Sequence, residues 1–240
     1  MTTTTLAAFL DPFLSLLYPP RCLLCKTLGT TCLCDTCSDQ IVPIPEPYCS
    51  HCGKSISSEE TDCYDCHQRR PAFNAARAMG AYDGTLRAAI HQFKYRDRPQ
   101  MAEPLGHLLA EYAQTQSSAL NRLRFDAIIA MPMHPTRKRL RGYNQSERLA
   151  RIVARELCLS MDTALLVRRR RTRPQVGLSA EARRKNLVGA FAVPHPSEVV
   201  GKTILLVDDV ISTGSSLHES ALTLRADGAK AVYALTLAAG

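Results

Sequence analysis

Nine of the ten cysteines fall between residues 22 and 66, and eight of them form four C-x-x-C pairs: Cys22/Cys25, Cys34/Cys37, Cys49/Cys52 and Cys63/Cys66. Each pair can clamp one side of a Zn²⁺ ion through a tight knuckle, and two pairs complete a closed tetrahedral thiolate site. Eight such thiols predict two zinc ions. The simplest pairing is sequential, with Cys22, Cys25, Cys34 and Cys37 on one ion and Cys49, Cys52, Cys63 and Cys66 on the other; a crossed pairing uses the same spacing. Cys32 lies outside that spacing and reads as a spare thiol that could substitute for Cys34. A thioredoxin-like redox motif needs one pair at a helix start inside a βαβ unit, whereas these pairs lie in a polar stretch with Pro and Gly. Four thiolates leave no coordination position for a catalytic water, so both sites read as structural. A segment of about 50 residues buries little core, and metal binding would supply much of its folding free energy.

Ahead of the cysteines, Leu6 to Tyr18 is apolar but interrupted by Asp11 and too short to span a bilayer. It reads as an amphipathic helix over residues 1–20 that packs on the body and stops at Pro19-Pro20. No secretion signal is legible, which places the protein in the cytoplasm and favours metal over disulfides for its thiols. After Arg69-Arg70-Pro71 cysteine nearly vanishes, so the zinc module is assigned to 21–70 and a larger domain to 71–240. The chain has 240 residues and a net charge of +8, a balance that suits phosphorylated ligands or nucleic acid.

The chemistry of the larger domain concentrates in Ile204-Leu-Leu-Val-Asp-Asp-Val-Ile-Ser-Thr-Gly-Ser-Ser216. An apolar run, read as a buried parallel strand, stops at Asp208 and Asp209 and passes into the small-residue turn Ser212, Thr213, Gly214, Ser215 and Ser216. A helix is expected from Ser215 to Ala226. Such a turn presents backbone N–H groups where the helix dipole favours an anion. Carboxylates beside an anion seat suit sugar hydroxyls or a divalent cation, and a phosphorylated sugar uses both. A second strand, Phe125 to Met131, runs into a basic loop, Pro132 to Gln145, that supplies Arg137, Lys138, Arg139 and Arg141. Guanidinium forks bind phosphate bidentately. By itself the loop reads equally as an anion seat, a solvated basic loop or a contact for a nucleic-acid backbone; if both strands share a sheet, it can hold a highly charged leaving group facing the turn.

Between those strands lies a basic segment, Arg168 to Asn186, long enough to cover the site as a hood, with Ser179 expected to cap a helix inside it. Strands are also expected over Ala75 to Tyr82 and Ala231 to Leu237, with helices over Leu86 to Phe93, Ala102 to Thr115 and Ser146 to Leu157. Lys94 and Arg96 could reach an anionic ligand, although a solvated helix end is the favoured account of them. The order implies an α/β fold with a mainly parallel sheet and helices on both faces.

The 204–216 stretch closely resembles the signature of the type I phosphoribosyltransferases. That resemblance implies that Asp208 and Asp209 contact the ribose hydroxyls of phosphoribosyl pyrophosphate, that Thr213 to Ser216 wrap its 5′-phosphate, and that Mg²⁺ takes part. Over about residues 6–238 the chain resembles the ComF family of competence-protein-F-like phosphoribosyltransferases. The residues that carry this are the C-x-x-C pairs with Cys49-Ser-His-Cys-Gly53, Phe93-Lys-Tyr-Arg96, Arg139-Leu-Arg-Gly-Tyr-Asn-Gln145, Thr172-Arg-Pro-Gln175 and Arg184-Lys-Asn186. Position 143 is Tyr where that family often has Phe. The resemblance implies a link to the DNA-uptake machinery, with an unspecified phosphoribosyl acceptor. Two functions are therefore expected: transfer of phosphoribose, or single-stranded DNA binding with phosphoribosyl pyrophosphate as a regulatory ligand. Scarcity of aromatics, 6% with no Trp, weighs against an extensive base-stacking platform.

Overall fold

The computed structural model describes residues 19–57, 59–95, 98–117, 119–173, 177 and 179–240. The expected helix over Leu6 to Tyr18, together with Arg96, Pro174, Gln175 and Leu178, lies outside the described residues. Four strands, β1 (Ala75–Ala81), β2 (Ala127–Ala130), β5 (Thr203–Ile211) and β6 (Ala231–Ala239), form a sheet in the order β1-β6-β5-β2. Every pairing in it is parallel. A separate antiparallel pair, β3 (Val167–Arg168) and β4 (Phe191–Ala192), belongs to the hood segment.

In β5, Ile204, Leu205, Leu206 and Val207 are all fully buried, as an apolar run must be when helices cover both faces of a parallel sheet. Successive side chains point to opposite faces. Leu205 and Val207 join one core with residues of α3 (Gly84–Tyr95), α4 (Ala102–Glu111) and α6 (Gln145–Glu156). Ile204 and Leu206 join the other core, with α8 (Ser215–Ala226) and hood residues Leu187 and Phe191. The expected longer helix over Ala102 to Thr115 is split, because α4 gives way to a π-helical turn, Tyr112–Gln116.

The cysteine-rich segment is bound into this architecture. Ile44 N–H donates to Met79 O at 3.2 Å, and Ala76 N–H donates to His51 O at 2.6 Å, so the module pairs along the outer edge of β1. Arg77 reinforces the join, donating to Ser50 O at 3.0 Å with its guanidinium 4.8 Å from the Tyr48 ring centre. Covering an edge strand in this way removes unpaired backbone groups from solvent. Cys22 and Cys37 contribute to the core that holds α3, α4 and α6, and Cys49, Cys52 and Cys66 to the core that holds α8. The two clusters thus straddle the sheet at one edge.

Candidate functional site

Strand β2 pairs with β5 only as far as Ala130 opposite Val207, whereas β5 continues along β6 to Ile211 opposite Ala239. The strand was expected to stop at the acids; the β6 ladder carries it four residues further. Asp208, Asp209 and Val210 therefore overhang the end of β2. A cavity of about 380 Å³ opens there, between strands that lead to opposite sides of the sheet.

Ser146 at the start of α6 donates its hydroxyl to Asp208 Oδ1 at 2.7 Å, and Asp209 N–H donates to the same oxygen at 2.9 Å. Burial, and then the neighbouring Asp209 charge, push the Asp208 carboxyl up to about 7 against those two hydrogen bonds. Lys94, at the end of α3, lies with its Nζ 2.8 Å from Asp209 Oδ1, and both side chains are only about 15% exposed, at 15% and 14%. The expectation of a solvated helix end was wrong for Lys94. Burial opposes its charge, but Asp209 and Asp208 outweigh it and raise its pKa.

The basic loop contains a helix that sequence reasoning missed, α5 (Pro135–Arg141). Pro135 supplies a preset first helical position, His134 Nδ1 accepts from Thr136 N–H at 3.3 Å, and Gly142 ends the helix at φ +82°. Helical spacing puts Arg137 and Arg141 on one face, where both line the cavity. Arg139, half a turn away, is exposed and lines an adjoining open groove with Leu140 and Gly142. The Tyr143 hydroxyl donates to Phe93 O, and Asn144 donates to Met131 O at 3.0 Å while capping Ser146 N–H at 3.2 Å. The Arg-Gly-Tyr-Asn-Gln run therefore locks β2, α3 and α6 together and aims Ser146 at Asp208.

Arg168, on β3, also lines the cavity. Burial and the Arg137 charge lower its pKa to about 10, leaving it cationic at neutral pH. Its Nε, and Nε2 of Gln145 beside it, are buried without a hydrogen-bond partner among the described residues. Ser146 was missed as a site residue, and Lys94 and Arg168 were not assigned to the acids, because each sits on an element remote in sequence from them; only topology brings them together.

Gly214 occupies the cap position of α8 at φ +67°, so no side chain covers the helix N-terminus. Thr213 and Ser215 hydroxyls pair at 2.8 Å, and Arg183 of hood helix α7 (Ala180–Leu187) donates to Ser212 Oγ at 3.1 Å. Ser179 caps α7 as expected, accepting from Ala182 N–H at 3.2 Å. Ser216 lines the carboxylate cavity, while Ser212, Thr213, Gly214 and Ser215 line a second cavity of about 300 Å³ on the other side of the turn.

The eight paired thiols gather sequentially. Cys22, Cys25, Cys34 and Cys37 have their sulfurs within 4.8 Å of one another, as do Cys49, Cys52, Cys63 and Cys66. Sulfur separations of 3.6 Å for Cys25 to Cys34 and 3.5 Å for Cys52 to Cys63 suit the edge of about 3.8 Å of a tetrahedron with zinc–sulfur bonds near 2.3 Å. Cys32 stands apart, its thiol 3.4 Å from Gln100 O. Among the described residues no helix is long and apolar enough to cross a membrane.

Comparison with known proteins gives this geometry a class. The double zinc ribbon domain profile matches residues 13–67, and the phosphoribosyl transferase domain profile matches residues 144–240. The chain is a phosphoribosyltransferase-fold protein with an N-terminal zinc-ribbon module. Relatives narrow the class. Competence protein F of Haemophilus influenzae is 32% identical over 223 residues, covering 91% of this chain and 96% of that protein. DNA utilization protein YhgH of Escherichia coli O157:H7 is 32% identical over 217 residues, covering 89% and 94%. The chain belongs to the competence protein F family. Among solved structures, a glutamine phosphoribosylpyrophosphate amidotransferase from B. subtilis aligns at 18% identity and TM-score 0.41, over 60% of this chain and 30% of that one.

Proposed function

We propose that the crevice at the ends of β5 and β2 binds phosphoribosyl pyrophosphate with Mg²⁺ and transfers phosphoribose to an acceptor in the handling of incoming DNA. The observation that carries this reading is the meeting of Asp208 and Asp209 with Arg137, Arg141 and Arg168 in one cavity, between the phosphate turn and α5. Asp208 and Asp209 accept hydrogen bonds from the ribose hydroxyls. The turn from Ser212 to Ser216 seats the 5′-phosphate, giving binding energy remote from the reacting carbon. Arg137, Arg141 and Arg168 hold the pyrophosphate, with Arg139 on the rim. Asp208 and Asp209 are the residues that would hold Mg²⁺, and the ion would supply charge neutralisation for the leaving group.

In the transfer step the C1′–O bond breaks and its electron pair leaves with the pyrophosphate. A nitrogen lone pair of the acceptor forms the new bond at C1′, and the nitrogen gives up its proton. Carboxylate charge at Asp208 and Asp209 favours the positive charge that develops on the ribose. The hood keeps out water that would otherwise take the acceptor's place.

The link to DNA uptake is supported by the names of the relatives, one a competence protein and one a DNA utilization protein. A cytoplasmic setting, where thiols stay reduced for zinc, goes with that proposal. No specific observation favours the alternative of a single-stranded DNA accessory protein. Arg151 and Arg155 on α6 are paired with Glu147 and Glu103, and Tyr64 is the one aromatic among the strongly exposed large side chains described. The test is pyrophosphate release with Mg²⁺, measured across free nucleobases and single-stranded DNA. Release with one acceptor supports transfer. Ligand binding with no release for any of them would leave a sensor in place of an enzyme. DNA affinity that survives Asp208→Asn with Asp209→Asn would separate DNA contact from this crevice.

A further inference from the structure

The second cavity, of about 300 Å³, is walled on one side by the phosphate turn and on the other by the second zinc knuckle, whose short helix is α2 (Tyr64–Gln68). Phe73, just past the module, approaches to 3.8 Å of where a Cβ on Gly214 would stand, so the chain leaving the knuckle packs against the turn. Arg69 from the knuckle and Arg184 from α7 converge here: both line the cavity, and both act electrostatically on His218 at its edge. Among the described residues neither guanidinium has a hydrogen-bond or ion-pair partner. Ala72 N–H donates to His218 Nδ1 at 3.0 Å, which leaves the proton of the neutral ring on Nε2 as a further donor. Burial and the two arginines hold the imidazole below its usual pKa, in keeping with that neutral form. Asp65 is the single acid on the wall; it is mostly exposed and 4.0 Å from Lys54, which also lines the cavity.

We propose that the 5′-phosphate seat is shared between the turn and the zinc ribbon, with Arg69 and Arg184 as phosphate-binding residues that close over the anion from the knuckle and the hood. This rests on the phosphoribosyl reading above and gives the second zinc a task beyond holding its own segment together. The ion fixes the knuckle that carries Arg69 at the phosphate turn. A seat built this way discriminates ligands by their 5′-phosphate: two guanidinium forks add bidentate contacts to backbone N–H donors. An unphosphorylated ribosyl ligand meets none of them.

The test uses the intact, zinc-loaded chain, with ribose 5-phosphate and Mg²⁺-pyrophosphate titrated as separate probes. Arg69→Ala with Arg184→Ala should weaken ribose 5-phosphate binding on the order of tenfold or more, and leave pyrophosphate within about twofold. Zinc content and melting temperature serve as folding controls, and Arg69→Lys with Arg184→Lys should restore part of the loss. Ribose 5-phosphate affinity within about twofold of the parent in the Ala pair would overturn the shared seat. An equal loss for both probes would overturn it as well, since that is a field or folding effect. A parent that binds neither probe removes the phosphoribosyl reading itself, an outcome distinct from a parent that binds both while the variant is unchanged.

Discussion

The two proposed anion seats that flank Asp208 and Asp209 are built on opposite plans. The phosphate turn offers backbone N–H groups and short hydroxyls at the start of α8, held by the β5 strand that precedes it. At the other end, α5 offers long guanidinium side chains, and Arg137 and Arg141 reach the cavity only because the helix places them on one face. A backbone seat is preorganised and recognises shape. Side-chain cations are more mobile and more screened by salt, so their contribution depends on charge. On the proposed reading, one end of the crevice would specify the ligand and the other would neutralise it.

The largest effects should come from the acids between the two seats. Each substitution, Asp208→Asn or Asp209→Asn, removes charge-assisted acceptors for the ribose hydroxyls and should cost about 2–3 kcal/mol of phosphoribosyl pyrophosphate affinity, roughly 30- to 150-fold by calorimetry. Equal affinity in both variants would mean that the ribose lies elsewhere. Next in size, Arg137→Ala and Arg141→Ala should each weaken Mg²⁺-pyrophosphate binding about tenfold at low salt and less at 0.5 M. Arg139→Ala, on the exposed side of α5, should change it less than threefold. A salt-independent loss at Arg137 would place it among the preorganised groups and blur the contrast.

A smaller effect is expected in stability. The folded-state pKa of Asp208 lies near 7, above the ordinary aspartate value of 3.8. The native state therefore holds the extra proton between those values, and stability falls as pH rises from about 4 to 7, staying reduced above that. Asp208→Asn should remove this cost and raise the melting temperature at pH 8 by on the order of 3 °C, corresponding to about 1 kcal/mol in a chain of this size, even as ligand binding is lost. An unchanged or lower melting temperature at pH 8 would show that the buried carboxylate is not under strain.

The same contrast explains what could be read from the chain. A backbone seat requires contiguous small residues after a strand, so Ile204 to Ser216 was legible, as were the thiol pairs, whose spacing is the chemistry. The parallel sheet and the helix at Ser215 followed from periodicity. The basic helix α5 was hidden because Pro135 and Gly142 also mark loops, and its apolar side chains are too few to show a period. Lys94, Ser146 and Arg168 were illegible for a different reason: the strand order β1-β6-β5-β2 and the overhang of β5 bring them to the acids, and neither property is local. Nor did spacing reveal that the second thiol cluster shares a cavity with the Ser212–Ser215 turn, since that placement depends on how the module lies along β1.

The central claim, that one crevice seats a ribose carrying phosphate at one end and pyrophosphate at the other, is tested most directly by titrating Mg²⁺-phosphoribosyl pyrophosphate into the zinc-loaded protein in a calorimeter. Saturable binding of about one ligand per chain, abolished by Asp208→Asn with Asp209→Asn in a variant that retains its zinc and its melting transition, is the predicted result. No binding heat across temperatures, or binding that survives the loss of both acids, would contradict it.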